Sequence, residues 1–243
     1  MKRKICFLLA MAMMLLALGG CAEPTDEVKH LYDKYVAAQE LYVAGFDATV
    51  AFKTTVDGQS AEGEFFVKVC GDDVSITRDD SNDERHYVDG MAYRRGYFQG
   101  GTYYEDNAEQ RAKVCEAVSK EDFTKECAGF FCINPYASSF PTLTEEDLTG
   151  AEITESNGYA AIAVNMPLSE IQAFFADDSI TEAEGVMVAT FDTKGAMIAL
   201  AFRFDVGGDD SHKHLFEITY EFEKPGVIPA VLKPENADDY IVL

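Results

Sequence analysis

The chain has 243 residues, of which 47% are hydrophobic, and its 43 acidic and 20 basic side chains give a formal net charge of −23. The hydrophobic fraction can supply a core, which excludes a wholly disordered chain. The acidity argues against nucleic acid and anionic lipid headgroups as partners, because binding their phosphates needs a basic surface. The length suits one large domain or two small ones.

The N-terminus has the layout of a secretory signal. Three basic residues at 2–4 precede an unbroken apolar run, Ile5 to Leu18. That run is shorter than the about 20 residues that a membrane-spanning helix needs, and its length suits the apolar part of a signal peptide. The sequence therefore predicts export of the chain.

The apolar run ends in Leu18-Gly19-Gly20-Cys21, which resembles the lipobox of bacterial lipoproteins. The resemblance implies cleavage before Cys21, a diacylglyceryl group on its sulfur, and a mature chain anchored outside the cytoplasmic membrane. Residues 1–20 would then be the signal peptide and 21–25 a short tether. Loss of the three basic residues would take the net charge to −26. A plain cleaved signal with a chance cysteine is the alternative.

Four further cysteines are candidates for disulfides. In an exported chain they suggest two bridges, with three connectivities that the sequence does not separate. A zinc site is disfavoured, since no closely spaced Cys pair is joined to a matching His pair, and we expect no metal and no cofactor. The candidates are Cys70, Cys115, Cys127 and Cys132.

An amphipathic helix is predicted from about residue 26 to 42. Thr25 or Asp26 can cap its start. The apolar residues recur at helical spacing, so that one face should lie on another element; they are Val28, Leu31, Tyr32, Tyr35, Ala38 and Tyr42.

Hairpins dominate the rest of the chain. Asp57-Gly58, Asp89-Gly90 and Asn157-Gly158 favour type I′ turns. A two-residue turn at Asp57-Gly58 pairs Phe46 with Val69 and places apolar residues on one face. Eleven strands are predicted, at 46–56, 60–69, 73–79, 84–89, 91–97, 102–105, 150–156, 159–166, 184–192, 196–206 and 212–223.

Helices interrupt these strands. Asp106 with Glu109 resembles a capping box for a helix at 107–119, and Ser119 with Asp122 resembles one for a helix at 121–132. Asn165 followed by Pro167 predicts a cap and first residue for a third helix. The fold class is therefore α+β, with a single antiparallel sheet and helices packed on it.

The predicted sheet is too wide for its helices to cover if it stays flat. Eleven strands at about 4.8 Å span roughly 50 Å, whereas each helix covers about 10 Å. Wide sheets twist and curl, so we expect an incomplete barrel whose apolar side is concave. A ligand or the protein's own side chains would fill it. The expected lining residues are Phe46, Phe52, Phe65, Tyr93, Ile162, Phe202 and Phe204.

The order of elements resembles the LolA/LprG family of lipoprotein and lipid carriers. The resemblance is carried by "FDATVAFKTTVDGQSAEGEFFVKV" leading to "RHYVDGMAYRRG", and by "ITYEFEKPGVIPAVLKPENADDY". It implies that residues 26–243 form a half-barrel, capped by helices, that holds acyl chains. No catalytic or ligand-binding signature of the family can be transferred to individual residues.

No common catalytic motif is present: Gly-x-Ser-x-Gly, His-Glu-x-x-His and a nucleotide-binding glycine loop are all missing. We therefore expect not an enzyme but an extracytoplasmic, lipid-anchored protein that binds a lipid or another apolar molecule. The alternative is a surface interaction or sensor module with a filled core. An aromatic, basic stretch at 93–104 is a candidate contact for an envelope protein or glycan, unless its arginines pair with carboxylates.

Overall fold

The computed structural model describes residues 23–78, 84–97, 112–131, 134–137, 140–207, 213–235 and 237–243. The predicted signal peptide, the predicted lipidation site Cys21, Cys132 and the predicted strand at 102–105 lie outside these residues. The described helices are α1 (Asp26–Ala44), α2 (Lys120–Phe131), α3 (Leu168–Phe175) and a short 3-10 helix (Ala237–Asp239). The described strands are β1 (Gly45–Val56), β2 (Gln59–Cys70), β3 (Asp73–Thr77), β4 (Glu84–Val88), β5 (Met91–Tyr97), β6 (Ala112–Ala117), β7 (Glu152–Ser156), β8 (Tyr159–Met166), β9 (Ala183–Phe191), β10 (Met197–Gly207), β11 (Lys213–Phe222) and β12 (Ile241–Val242).

All twelve described strands belong to one open sheet, in the order β12-β6-β5-β4-β3-β2-β1-β11-β10-β9-β8-β7. Every neighbouring pair is antiparallel except β12 with β6. The pairing of β1 with β11 joins the N-terminal and C-terminal halves of the chain. The predicted α+β fold with one antiparallel sheet is confirmed.

The sheet is curled, as its width predicts. Phe123 of α2 stacks on Tyr87 of β4, with ring centroids 5.1 Å apart, whereas α3 packs on β9. Six strand spacings separate β4 from β9, about 29 Å in a flat sheet and more than two helix diameters. Nevertheless α2 and α3 contact each other, because the sheet bends around them.

The dipeptide turns set the register of the hairpins. Asp57 and Gly58 have φ angles of 51° and 78°, and Asn157 and Gly158 have 52° and 80°, the left-handed values that a type I′ turn requires. Phe46 pairs with Val69 as predicted. This register places apolar side chains from successive strands in rows on the concave face; one row is Phe46, Val69, Val74, Tyr87 and Ala92.

The helices begin mostly where their capping residues predict. The Thr25 hydroxyl accepts a hydrogen bond from the Val28 amide at 3.3 Å, and the Ser119 hydroxyl accepts one from the Asp122 amide at 3.0 Å. The predicted cap at Asn165 is wrong: this residue lies in β8, and Pro167 is the N-cap of α3 without a side-chain bond.

The predicted helix at 107–119 is also wrong where the chain is described, since residues 112–117 form β6. This strand pairs with β5 on one side and β12 on the other. Val114 and Cys115 are both buried although they point to opposite faces. Burial on two faces favours a strand, and tertiary pairing overrides the local capping signal.

Candidate functional site

Six of the seven predicted lining side chains share the concave face. Phe46, Phe65, Ile162, Phe202 and Phe204 are each 3% exposed or less, and Phe52 is partly buried. These six residues lie on four strands, β1, β2, β8 and β10, and the pairing of β1 with β11 brings the first two strands into one sheet with the last two. One cross-strand row consists of Phe52, Ile218, Phe202, Met187 and Val164.

Tyr93 does not belong to this surface. It pairs with His86 and Cys115 across the sheet, and its ring packs on Tyr240 at 5.5 Å, on the convex face. The prediction that it lines the concavity is wrong because successive residues of a strand point to opposite faces, and in β5 Ala92 points inward.

The concave face is covered by a plug segment, residues 134–148, which is described at 134–137 and 140–148. Its described residues form no α-helix or strand, yet several of their side chains are buried. The ring of Phe140 lies 6.1 Å from that of Phe46, 6.3 Å from Phe202 and 5.3 Å from Tyr220. The plug segment thus fills part of the concavity with its own apolar side chains.

Helix α1 holds the plug segment through polar side chains. The Tyr32 hydroxyl donates to the Leu143 carbonyl at 2.7 Å and accepts from the Leu143 amide at 2.8 Å. The Tyr35 hydroxyl donates to the Pro141 carbonyl at 2.7 Å, and Gln39 Nε2 donates to the Phe140 carbonyl at 2.7 Å. Irregular backbone can be buried here because these side chains satisfy its polar groups.

The sheet side also contributes hydrogen bonds to the plug segment. Tyr220 of β11 donates to the Asn134 carbonyl at 2.8 Å, and Tyr136 of the plug segment donates to the Asp72 carbonyl at 2.9 Å. Burial raises the pKa of Tyr35, Tyr136 and Tyr220 above the ordinary value of a phenol. These hydroxyls therefore stay protonated and act as donors at neutral pH.

Helix α3 closes the other end of the concave face with two phenylalanines. Phe174 lies 4.8 Å from Phe202 and 5.0 Å from Phe204, and Phe175 lies 5.0 Å from Phe204. The absence of a side chain at Gly185 permits this close approach, since a Cβ there would lie 2.9 Å from Ile171 Cδ1. The resulting packing joins helix and sheet without a gap.

Helix α2 is fastened to the sheet by a charged cluster. Arg85 and Arg94 are paired residues of β4 and β5 and are 1% and 6% exposed. Glu126 of α2 accepts from Arg85 Nε at 3.2 Å and from Arg94 Nε at 2.8 Å, and Glu116 of β6 accepts from Arg94 at 3.2 Å. We call Arg85, Arg94 and Glu126 the α2 latch.

The α2 latch changes the interpretation of the aromatic, basic stretch. Arg94 points to the concave side and pairs with carboxylates, whereas Tyr93 points to the convex side, so the stretch is not a single contact surface. The residues from Phe98 to Tyr104 lie outside the described part of the chain. The alternative, in which arginines pair with carboxylates, is confirmed for Arg94.

Cys70, Cys115 and Cys127 are free thiols, so the predicted disulfides among these three are wrong. Cys127 belongs to α2 and is buried in the concave core, whereas Cys115 lies on the convex face with Tyr93. Cys70 and Cys115 are on strands four spacings apart, about 19 Å, far beyond the Cα separation that a disulfide spans.

No helix within the described residues combines the length and apolar composition that crossing a membrane requires. The described residues also bring no group of three or more His, Cys, Asp or Glu side chains together in a geometry suited to a metal ion.

Comparisons with known proteins give structural similarities only. No family model and no curated protein matches the chain. LprF from Mycobacterium bovis is 14% identical, with 86% of this chain and 99% of that one covered and a TM-score of 0.30. A DUF1329 family protein from Desulfovibrio piger is 12% identical, with 82% and 94% covered and a TM-score of 0.27. A domain from Vibrio parahaemolyticus, proposed to be an outer membrane lipoprotein-sorting domain, is 10% identical, with 80% and 91% covered and a TM-score of 0.21. Scores this low carry no functional assignment, so function is argued from the chain's own residues.

The sequence pattern missed the plug segment and the α2 latch. Residues 134–143, "NPYASSFPTL", have neither a helical nor an alternating period. They do contain three large apolar residues, Tyr136, Phe140 and Leu143, and two prolines. An aromatic loop of this kind is the only signal for Phe140. Arg85 has no signal, because a lone arginine in a strand is normally exposed.

Proposed function

We propose that the protein is a lipid-anchored, extracytoplasmic binding protein that holds a lipid or another apolar molecule against its concave face. The anchor would be the lipid group on Cys21. The plug segment covers that face, so binding would require the plug segment to move aside.

One observation carries the proposal: irregular backbone, with Phe140 at its centre, lies on the concave face against two predicted lining residues, Phe46 and Phe202. Connections of this type normally run over the surface, since their polar groups need partners. Here tyrosine and glutamine side chains bind those groups. Each such bond contributes about 1 kcal/mol net, so an apolar ligand that buries comparable area could replace the plug segment.

Two matched variants test this exchange. Tyr35→Phe removes a buried hydroxyl that binds the plug segment, at Pro141, whereas Tyr42→Phe removes one that binds β10, at the Met197 carbonyl at 2.6 Å. Both should destabilise the protein by about 1–2 kcal/mol, because each leaves a buried carbonyl unpaired. Only Tyr35→Phe should increase the uptake of a fluorescent fatty acid, by several-fold.

Native mass spectrometry and lipid extraction of the purified mature protein provide the direct measurement. A co-purifying lipid, or fatty-acid uptake that rises in Tyr35→Phe alone, supports the carrier. An apo mass together with no uptake in either variant contradicts it. The filled concave core would then favour the other candidate, a surface interaction or sensor lipoprotein without a ligand.

A further inference from the structure

A cavity lies on the convex face of the sheet, on the opposite side from the plug segment. It has a volume of about 480 Å³, which is within the range of small-molecule sites. Its roof is the C-terminal strap, residues 230–235, and its floor is built from strands β2 to β6. The register places the floor residues in two adjacent cross-strand rows, Lys68-Ser75-His86 and Glu84-Arg95-Lys113.

The charged side chains that line this cavity are mostly basic, although the chain as a whole is strongly acidic. Lys68, Arg95, Lys113 and Lys233 line it together with only two acids, Glu84 and Glu235, although acidic residues outnumber basic ones by 43 to 20 in the whole chain. Lys113 pairs with Asp239 at 3.5 Å, and Lys233 pairs with Asp89 at 3.7 Å. Within the described residues, Lys68 and Arg95 have no side-chain ion pair.

A buried imidazole lies in the floor of the cavity. His86 is 7% exposed, and neither of its ring nitrogens has a hydrogen-bond partner in the described structure. Its Nε2 is 3.8 Å from Glu84 Oε2, which is too far for a hydrogen bond. The other oxygen of Glu84 already accepts from the Tyr240 hydroxyl at 2.6 Å. A polar group at this depth without a hydrogen bond is unfavourable, and a ligand or a water molecule in the cavity can supply the missing partner.

We propose that this convex-face cavity binds a small soluble anion through a phosphate or carboxylate group. Lys68 and Arg95 supply positive charge, and the imidazole of His86 supplies an N–H donor. The strap adds Val231, Leu232 and Pro234 as an apolar wall for the rest of the ligand. A soluble source is favoured over a lipid headgroup because the strongly acidic chain is repelled by an anionic membrane. The proposal is independent of any ligand on the concave face.

Nuclear magnetic resonance of the histidine side chains tests the site, with inorganic phosphate as the probe at constant pH and ionic strength. The His86 ring resonances should shift and saturate, while those of His30, exposed on α1, should not. Lys68→Met should weaken binding about tenfold, the loss expected for one charge-assisted bond. Lys194→Met removes the same charge from an exposed turn between β9 and β10 and should leave binding unchanged within about twofold.

The outcomes separate the alternatives. Equal shifts at His86 and His30, or equal weakening by both lysine variants, would mean non-specific charge screening and would overturn the site. No shift at His86 with phosphate or citrate would also overturn it. The last experiment replaces phosphate by vesicles of phosphatidylglycerol. A shift of the His86 ring resonances with vesicles but not with phosphate would refute a soluble ligand and identify a lipid headgroup as the ligand.

Discussion

The hydroxyl and amide groups of α1 decide how the concave side is filled. Periodicity predicts that Tyr32, Tyr35 and Tyr42 face inward, and they do. It does not predict that their hydroxyls bind the carbonyls of Leu143, Pro141 and Met197. A tyrosine counts as apolar in a helical pattern, although its buried hydroxyl must find a partner. The residue pattern therefore identified the face but not the segment bound to it.

The free cysteines differ in accessibility, which gives a residue-scale prediction. Cys127 is fully buried and burial raises the pKa of its thiol, whereas Cys70 is partly exposed. Because the thiolate is the reactive form, iodoacetamide should alkylate Cys70 more than about tenfold faster than Cys127 in the native protein. Peptide mass mapping after timed alkylation measures both rates.

Urea serves as the control, since both thiols should react at similar rates once the protein unfolds. Equal alkylation rates of Cys70 and Cys127 in the native protein would contradict the burial of Cys127 on the inner side of α2. A peptide that links Cys115 to Cys127 would contradict the placement of these residues on opposite faces of the sheet.

At the scale of elements, local signals predict the hairpins better than the connections. Asp57-Gly58 fixes a turn and a register because its backbone requires positive φ at both positions. The segment 112–117 has no such signal, and a nearby capping pattern favours helix. This segment forms a strand because it pairs with β5 and with β12, which is distant in sequence. The pattern of one segment does not contain that information.

The α2 latch gives a prediction at this scale. Glu126→Gln removes the carboxylate shared by Arg85 and Arg94, so that each buried guanidinium group loses one close carboxylate, while Glu116 stays paired with Arg94. We expect a loss of about 3 kcal/mol in the free energy of unfolding, as for other broken buried ion pairs. Urea denaturation followed by circular dichroism measures this loss.

Glu121→Gln on the same helix is the matched control. Glu121 forms an exposed ion pair with Lys125 at 2.7 Å, and such i,i+4 pairs contribute less than about 0.5 kcal/mol. Similar losses in the two variants would show that the carboxylate of Glu126 does not fasten α2 to the sheet.

For the whole molecule, the width of the sheet correctly predicts its curl. An apolar face about 50 Å wide cannot be covered by three helices unless it bends. The same argument leaves open whether a ligand or the protein fills the concavity, because alternation shows which face is buried and not what buries it. The plug segment supplies the answer for the described state, through Phe140 and the tyrosines that hold it.

Those tyrosines make the stability of the molecule sensitive to alkaline pH. Tyr35, Tyr136 and Tyr220 are 0%, 3% and 0% exposed, and burial raises the pKa of each in the folded state. Above pH about 10 the unfolded chain loses these protons while the folded chain retains them. Stability is therefore intact below that pH and falls above it, by about 1.4 kcal/mol per pH unit for each tyrosine.

Urea midpoints between about pH 9 and about pH 11 should consequently fall, by an amount equivalent to at least about 4 kcal/mol in total for these three tyrosines. Burial also raises the pKa of Tyr42 and Tyr240, which add to the fall. Tyr35→Phe should reduce the total fall by about 1.4 kcal/mol, because it removes one ionising group without changing the net charge of the folded protein. Tyrosinate absorbance of these residues should appear only as the protein unfolds. If Tyr35→Phe leaves the total fall unchanged, or if full tyrosinate absorbance precedes unfolding, the plug segment is not held by buried, protonated hydroxyls.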